Sequence, residues 1–398
     1  MKLSRLTRHN RWWRLLAWAL VAAVLLPAVA HADPGDPLLQ PSQNTGDWLN
    51  PDTEIGKKIA QLYDYVYYIA IGVFVIVEGA LLFAVIKYRF RPGREGAVVP
   101  QVHGNTALEI TWTAIPALIV AGLFVLTFNL MNEIHAGPNG DGSYTSSLNP
   151  QHVVAHNAIP SLTGQAPAGA LKVEAIGHQW WWEFRYPELG ITTANVMHVP
   201  PGRAIEVYTS SKDVIHAWWV PQMTGKQDAV PGVVNVTWFR TNLVDAGKKL
   251  EYYGHCTEFC GDEHGMMRFL LQVDSDTGFD AWAAQQIKIA APAATPQLKE
   301  GEGLFVSKGC YGCHAIAGHP NKDAATDTGN KIGPNLTHFA GRQILAGGAL
   351  TNTSANVSAW LRNPGAIKPG NRMSSAVKPG TLTPAQIEAL TAYLVSLK

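Results

Sequence analysis

Apolar runs divide the first third of the chain. LLAWALVAAVLLPAVA follows the basic stretch MKLSRLTRHNRWWR and ends at Ala30-His31-Ala32. A positive start, a short apolar run and a small-x-small tripeptide predict a secretory leader over 1–32, with the mature chain beginning at Asp33. The run is short and holds Pro27, which argues against a first membrane helix. Two longer apolar runs, near 65–86 and 110–130, each approach the ~20 residues that cross a bilayer. They predict a helical hairpin over 63–134 behind an outer segment at 33–62. The loop between them carries Lys87, Arg89, Arg91 and Arg94 against Glu95, which places it in the cytoplasm. The large C-terminal part then lies outside, on the side the leader also predicts.

Residues 135–170 are rich in Gly, Ser, Asn and Pro and read as a linker. From Leu171 short apolar and β-branched runs recur between turns: LKVEAIG, RAIEVYTS, VVNVTWFR, MMRFLLQV. This texture predicts an all-β sandwich or barrel over 171–288. IAAPAATPQ, 289–297, is an Ala/Pro linker. Beyond it, 298–398 reads as helical: Thr383-Pro384 caps a helix on which Ile387, Leu390, Leu394 and Leu397 share a face.

Composition agrees with a membrane protein carrying soluble parts: 398 residues, 47% hydrophobic and 15% charged. The formal net charge of +1 includes the five basic residues of the leader. Without them 26 basic and 30 acidic residues remain, which speaks against a nucleic-acid partner. The four Cys fall in two close pairs, the arrangement of ligands or attachment points rather than of a disulfide framework.

The first pair lies in GHCTEFCGDEHGMM, residues 254–267. Cys256, Cys260 and His264 are spaced by four, and Met267 follows three later. Thiolate, imidazole and thioether together suit copper, whereas structural zinc usually takes CxxC pairs. Two thiolates so close can bridge two coppers, each completed by one His and a weak axial ligand. The loop supplies one well-spaced His, so the second comes from elsewhere. His216, in DVIHAWWVPQ, is the candidate at a strand end, with His178, His198 and His255 as alternatives.

CTEFCGDEHGMM resembles the dinuclear copper (copper A) motif of cytochrome c oxidase subunit II. DVIHAWWVPQ, GHQWWW at 177–182 and the hairpin resemble that family too, so the likeness covers about 50–285. The resemblance implies a cupredoxin sandwich in which Cys256 and Cys260 bridge the coppers and His216 and His264 cap them. Met267 and the backbone carbonyl of Glu258 are then the axial ligands, and Met266 is a core residue. In the family the carboxylate at the Glu258 position also binds a magnesium ion shared with subunit I. The other reading of Glu258 is a solvated loop acid. Three consecutive Trp cannot all face one side of a strand. Packing accounts for Trp181 and Trp182. Trp180 matches the family's exposed Trp through which electrons come in from cytochrome c.

The second pair is Cys310-Tyr311-Gly312-Cys313-His314, the c-type haem attachment pattern. Both thiols would hold haem c covalently, with His314 as proximal ligand. Met373, in KPGNRMSS, is the candidate distal ligand, with His319 and His338 as rivals. Residues 298–398 resemble a class I cytochrome c domain, and IGPNLTHFAGR matches the loop whose Pro334 packs behind the haem His. The sandwich region 171–290 holds 10 basic and 14 acidic residues, and 298–398 holds 10 and 5. Opposite signs favour docking of the two domains through their rims.

In NTALEITWTAIPALIV, Thr106 and Glu109 fit a capping box at the start of the second span. The family carries a Glu there, at the cytoplasmic mouth of a proton path into subunit I. Glu78 is the only charge inside the first span and should face protein rather than lipid.

The resemblance therefore implies subunit II of a proton-pumping terminal oxidase in a bacterial inner membrane. It would pass electrons from cytochrome c or another outer donor through haem c and copper to haem a of subunit I, with subunit III and lipid as further partners. A free-standing electron carrier would not need two spans bearing Glu78 and Glu109. Nitrous oxide reductase lacks the hairpin, and a quinol oxidase subunit lacks the copper ligands.

Overall fold

The computed structural model describes residues 50–89, 93, 101, 103–135, 170–242, 250–318 and 332–398. The leader, its cleavage site, Arg91, Arg94, Glu95, His319 and nearly all of the 135–170 linker lie outside these residues.

Helix α1, Glu54–Tyr88, starts well before the apolar run that predicts it. The Thr53 side chain caps it by accepting the Gly56 N–H at 3.0 Å. Its first turns carry Glu54, Lys57, Lys58 and Asp64, so hydropathy sees only the later part. At 1.5 Å per residue its 35 residues reach about 50 Å, well beyond the ~30 Å of a bilayer core. The surplus is an amphipathic stalk with Ile55 and Ala60 buried. Helix α2, Thr106–His135, corrects the predicted cap. Asn105, not Thr106, accepts the Leu108 N–H at 3.1 Å, and Glu109 accepts the Asn105 N–H at 3.3 Å. Both helices turn their apolar side chains outward, among them Leu82, Phe83, Leu118 and Val120. Glu78 is exposed on α1. The outer ends of the hairpin are tied to the β domain. The Trp238 indole donates to the Ile134 carbonyl at 2.8 Å and Asn242 to that of Asp52 at 2.7 Å.

The β domain is the predicted sandwich. One sheet runs β3 (Ile191–Ala194), β2 (Trp181–Tyr186), β1 (Leu171–His178), β5 (Ala204–Ser211), β8 (Asn235–Arg240). The other runs β4 (Val196–Val199), β10 (Arg268–Val273), β9 (Leu250–Cys256), β6 (His216–Trp219), β7 (Gln227–Ala229). β1 pairs in parallel with β5, and β4 with β10; the remaining pairs are antiparallel. Between the sheets Phe269 packs against Trp182 and Trp218, with ring centroids 5.8 and 5.7 Å away. The strand period separates the tryptophans as expected: Trp182 enters this core, while Trp181 stacks on His178 at 4.2 Å. Helix α3, Asp276–Gln286, is not visible in the β texture. The Ser275 cap starts it, and Trp282 lays its ring on His198 at 4.3 Å.

The C-terminal domain holds α4 (Pro296–Ser307), α5 (Ser354–Arg362), α6 (Pro364–Ile367), α7 (Met373–Ala376) and α8 (Pro384–Ser396). A two-stranded ribbon, β11 (Ile344–Leu345) with β12 (Leu350–Thr351), interrupts the helical pattern. Thr295 caps α4, so the helix begins inside the predicted linker. Thr383 and Gln386 cap α8 reciprocally. Ile387, Leu390, Leu394 and Leu397 are buried with Phe305 and Tyr393, as their spacing predicts.

Candidate copper and haem centres

The strand pairing brings the first set of ligands together. Trp218 of β6 pairs with Cys256 of β9, which sets His216 beside the 256–267 loop. Within that loop Cys256 Sγ and Cys260 Sγ lie 3.7 Å apart. His216 Nδ1 stands 3.8 Å from Cys256 Sγ, and the Glu258 carbonyl oxygen 3.3 Å from it. His264 Nδ1 is 3.6 Å and Met267 Sδ 3.8 Å from Cys260 Sγ. Each sulfur therefore has one imidazole and one weaker donor. His216, Cys256, Cys260 and Met267 are buried. Of the alternatives to His216, His178 donates to or accepts from Glu183, and His198 likewise Asp274.

The electrostatics of the thiol pair fit a bound cation. The hydrogen bond between them pulls the Cys256 thiol far below its ordinary range, burial working against it and His216 with it. The same bond, with burial, pushes the Cys260 thiol up. The bare pair readily holds one negative charge and resists the second. Positive charge between the sulfurs removes that resistance, and a soft metal suits this donor set.

Asp213 is a site residue that sequence reading passed over. Its Oδ1 meets His216 Nε2 at 2.9 Å. Burial would raise its carboxyl, but the bonds from His216, Gln179 N–H and Val214 N–H outweigh this and hold it below the ordinary range. A ligand imidazole commonly gives its other nitrogen to a carboxylate in this way. The signal was present in DVIH, a carboxylate three residues before the His. Gly177 also matters: a Cβ there would fall 2.5 Å from His216 Cδ2.

Trp180 lies next to the thiol loop, its indole N–H donating to the Cys260 carbonyl at 2.9 Å. The family resemblance implies an exposed position. Here the residue is 9% exposed, because the C-terminal domain covers it. The Glu258 carboxylate and the Phe259 ring face outward, Phe259 being 76% exposed.

In the C-terminal domain, Cys310–Gly312 forms a short 3-10 turn directly after α4. His314 Nδ1 meets the Pro334 carbonyl at 2.9 Å, which leaves Nε2 free to bind iron. Burial lowers the imidazole's proton affinity and keeps it neutral. Met373 opens α7, and its Sδ receives the Trp360 indole N–H at 3.1 Å. Cys310 and Met373 border the same apolar core. His338 is engaged elsewhere: its Nε2 reaches the Gln286 and Lys288 carbonyls at 3.2 and 3.0 Å. Arg342 is buried with its Nε unpartnered, and burial pushes it down to about 10. Another guanidinium nitrogen donates to the Asn335 carbonyl, but a buried cation with no carboxylate partner among the described residues, beside the Cys-x-x-Cys-His segment, fits a carboxylate-bearing group such as haem. Glu109 stands apart from both centres, at the opposite end of the hairpin.

Comparison with known proteins locates three family models on the chain. Residues 51–130 match the cytochrome c oxidase subunit II transmembrane domain, 189–274 its periplasmic domain, and 298–398 cytochrome c. Cytochrome c oxidase subunit 2 of Alkalihalophilus pseudofirmus is 33% identical over 81% of this chain and 82% of its own length. That of Bacillus subtilis is 30% identical over 96% of this chain and 98% of its own. The periplasmic domain of subunit II of cytochrome oxidase from Bradyrhizobium japonicum is 32% identical. It covers 31% of this chain and 96% of its own, with a TM-score of 0.28.

Proposed function

This chain belongs to the cytochrome c oxidase subunit II family, and from that membership we propose that it is the electron-accepting subunit of a proton-pumping terminal oxidase. Its two spans and periplasmic domain make it a membrane protein with both candidate centres in the outer part. Electrons from cytochrome c or another outer donor reach the C-terminal domain, cross to the β domain, and leave for haem a of subunit I. Oxygen is reduced to water there.

One observation carries the reading: two cysteine sulfurs lie 3.7 Å apart, and three further side chains and one carbonyl gather around them. Cys256, Cys260, His216, His264, Met267 and the Glu258 carbonyl would hold dinuclear copper A. Cys310, Cys313, His314 and Met373 would hold haem c. When bound, these groups supply reversible one-electron couples. The protein's part is to orient the ligands, exclude water from the thiolates, and keep His216 and His314 in the tautomer that leaves the binding nitrogen free. Trp180 would carry electrons toward the copper, a reading its hydrogen bond to the Cys260 carbonyl supports.

The outward Glu258 carboxylate is offered to a magnesium ion shared with subunit I. Exposed Phe259, Val214 and Ile215 beside the ligand loops support a face for that subunit. Subunit III and lipid would cover the outward apolar faces of α1 and α2 in a bacterial inner membrane. Glu109 would stand at the cytoplasmic mouth of a proton path while also capping α2.

The test is metal and haem analysis of the purified complex with optical spectra. Two coppers and one covalent haem per copy of this chain are expected. Full turnover in a complex whose subunit binds no copper would refute the reading.

A further inference from the structure

Lys368 is 2% exposed, although lysine is rarely buried. Its ammonium has three N–H donors, and three backbone carbonyls receive them. Trp180 accepts at 2.8 Å, Met266 at 2.9 Å and Ala346 at 2.9 Å. Trp180 and Met266 belong to the β domain, whereas Lys368 and Ala346 belong to the C-terminal domain. The cage is thus built from both sides, and it closes on the carbonyl of Trp180, whose indole is bonded to the thiol loop.

The surroundings are fitted to it. Arg268 N–H donates to the Gly347 carbonyl at 2.8 Å, across the same boundary. Gly347 has φ +68, and a Cβ there would fall 2.4 Å from the Trp180 oxygen and 2.7 Å from Lys368 Nζ. Further along the segment, Gly370 packs against Asp262 and the Trp180 ring. Arg372 then comes within 3.7 Å of Asp213, the carboxylate that holds His216. Met373, the candidate iron ligand, is the next residue. Residues 368–373 therefore run from the Trp180 carbonyl to the partner of a copper-site His.

Burying an ammonium is unfavourable unless every donor is met, and packing alone would be served by an uncharged side chain. What the site requires is a donor able to satisfy three converging carbonyls. Contacts steered by net charge keep their lysines at a wet rim, where salt screens them. Lys368 does the opposite.

We propose that Lys368 is the positioning residue that fixes the C-terminal domain on the β domain, holding the Met373 segment against Trp180 through buried hydrogen bonds. The two domains then stay docked during turnover instead of meeting by charge attraction. The docking is independent of any cofactor; its consequence for electron transfer rests on the copper and haem assignment above.

Two substitutions in the whole oxidase complex test it. Lys368→Met keeps length and removes the donors. Gly347→Ala drives a methyl into the same cage while leaving Lys368 intact. Hydrogen exchange of the Arg268 amide reads docking without reference to any cofactor. It should speed up by about tenfold or more in both variants. Haem-to-copper electron transfer should be insensitive to salt in the parent, and slower and salt-dependent in the variants. Copper and covalent haem content, measured on the same samples, report separately on the ligand assignment. An Arg268 amide as protected in both variants as in the parent would overturn the proposal. So would parent transfer that falls steeply with added salt.

Discussion

Asp213 Oδ1 lies 2.9 Å from Nε2 of His216, on the side of the ring turned away from the thiols. The carboxylate sets the tautomer and leaves Nδ1 toward Cys256. Asp213→Asn keeps the shape and loses the charge. Removing the carboxylate partner of a ligand imidazole typically lowers metal affinity by about 10- to 100-fold. Copper titration of the variant, followed by its near-infrared absorption, should show a loss in that range with the fold intact.

Gly177 packs its bare Cα against the His216 ring. Gly177→Ala would force a methyl to within 2.5 Å of Cδ2 in a filled core. Overpacking of this kind costs about 1–3 kcal/mol. The β-domain melting temperature should fall, and the copper spectrum should shift because the displaced ring is a proposed ligand.

Met373 and His338 make opposite predictions. Met373→Ala should leave haem attached through Cys310 and Cys313 but open a coordination position. Carbon monoxide should then bind the reduced haem, seen as an optical difference spectrum. His338→Gln should leave that spectrum unchanged, because its ring already holds the Gln286 and Lys288 carbonyls.

Glu174, central in β1, is buried, and burial lifts its carboxyl from the ordinary 4.5 to about 7, against the pull of Arg185. The folded protein then binds this proton more tightly than the unfolded chain. Stability is therefore fully present below pH 4.5 and declines as pH rises through 7. The decline is at most about 3 kcal/mol. Glu174→Gln should remove it. The variant should melt higher than the parent at pH 8 and close to it at pH 5, by tryptophan fluorescence.

Much of both sites was legible because ligands near in sequence share one loop. Cys256, Cys260, His264 and Met267 lie within twelve residues, and Cys310, Cys313 and His314 within five. Spacing alone fixes which atoms can converge there. His216 was only a candidate among four, since its place depends on β6 pairing with β9 forty residues away. Helix α3 escaped notice because its apolar residues are few and tertiary packing, through Phe279 and Trp282, supplies its stability. The start of α1 escaped because its apolar residues, Ile55, Ile59, Leu62 and Tyr63, recur at helical spacing among charged ones and form no continuous apolar run.

The sequence by itself determined the two spans, the strand-rich outer domain, the helical C-terminal domain and the local candidate ligand sets. All of these follow from periodicity or short-range spacing. Only the tertiary structure decided that Asp213 orients His216, that Trp180 lies covered, and that Lys368 closes a cage across the domain boundary. Net charge predicted attraction between the rims, and Arg372 comes within 3.7 Å of Asp213 there; charge did not announce the buried lysine and backbone carbonyls beside that pair. Carbonyl oxygens are the same in every residue, so no pattern of side chains announces where three of them will converge.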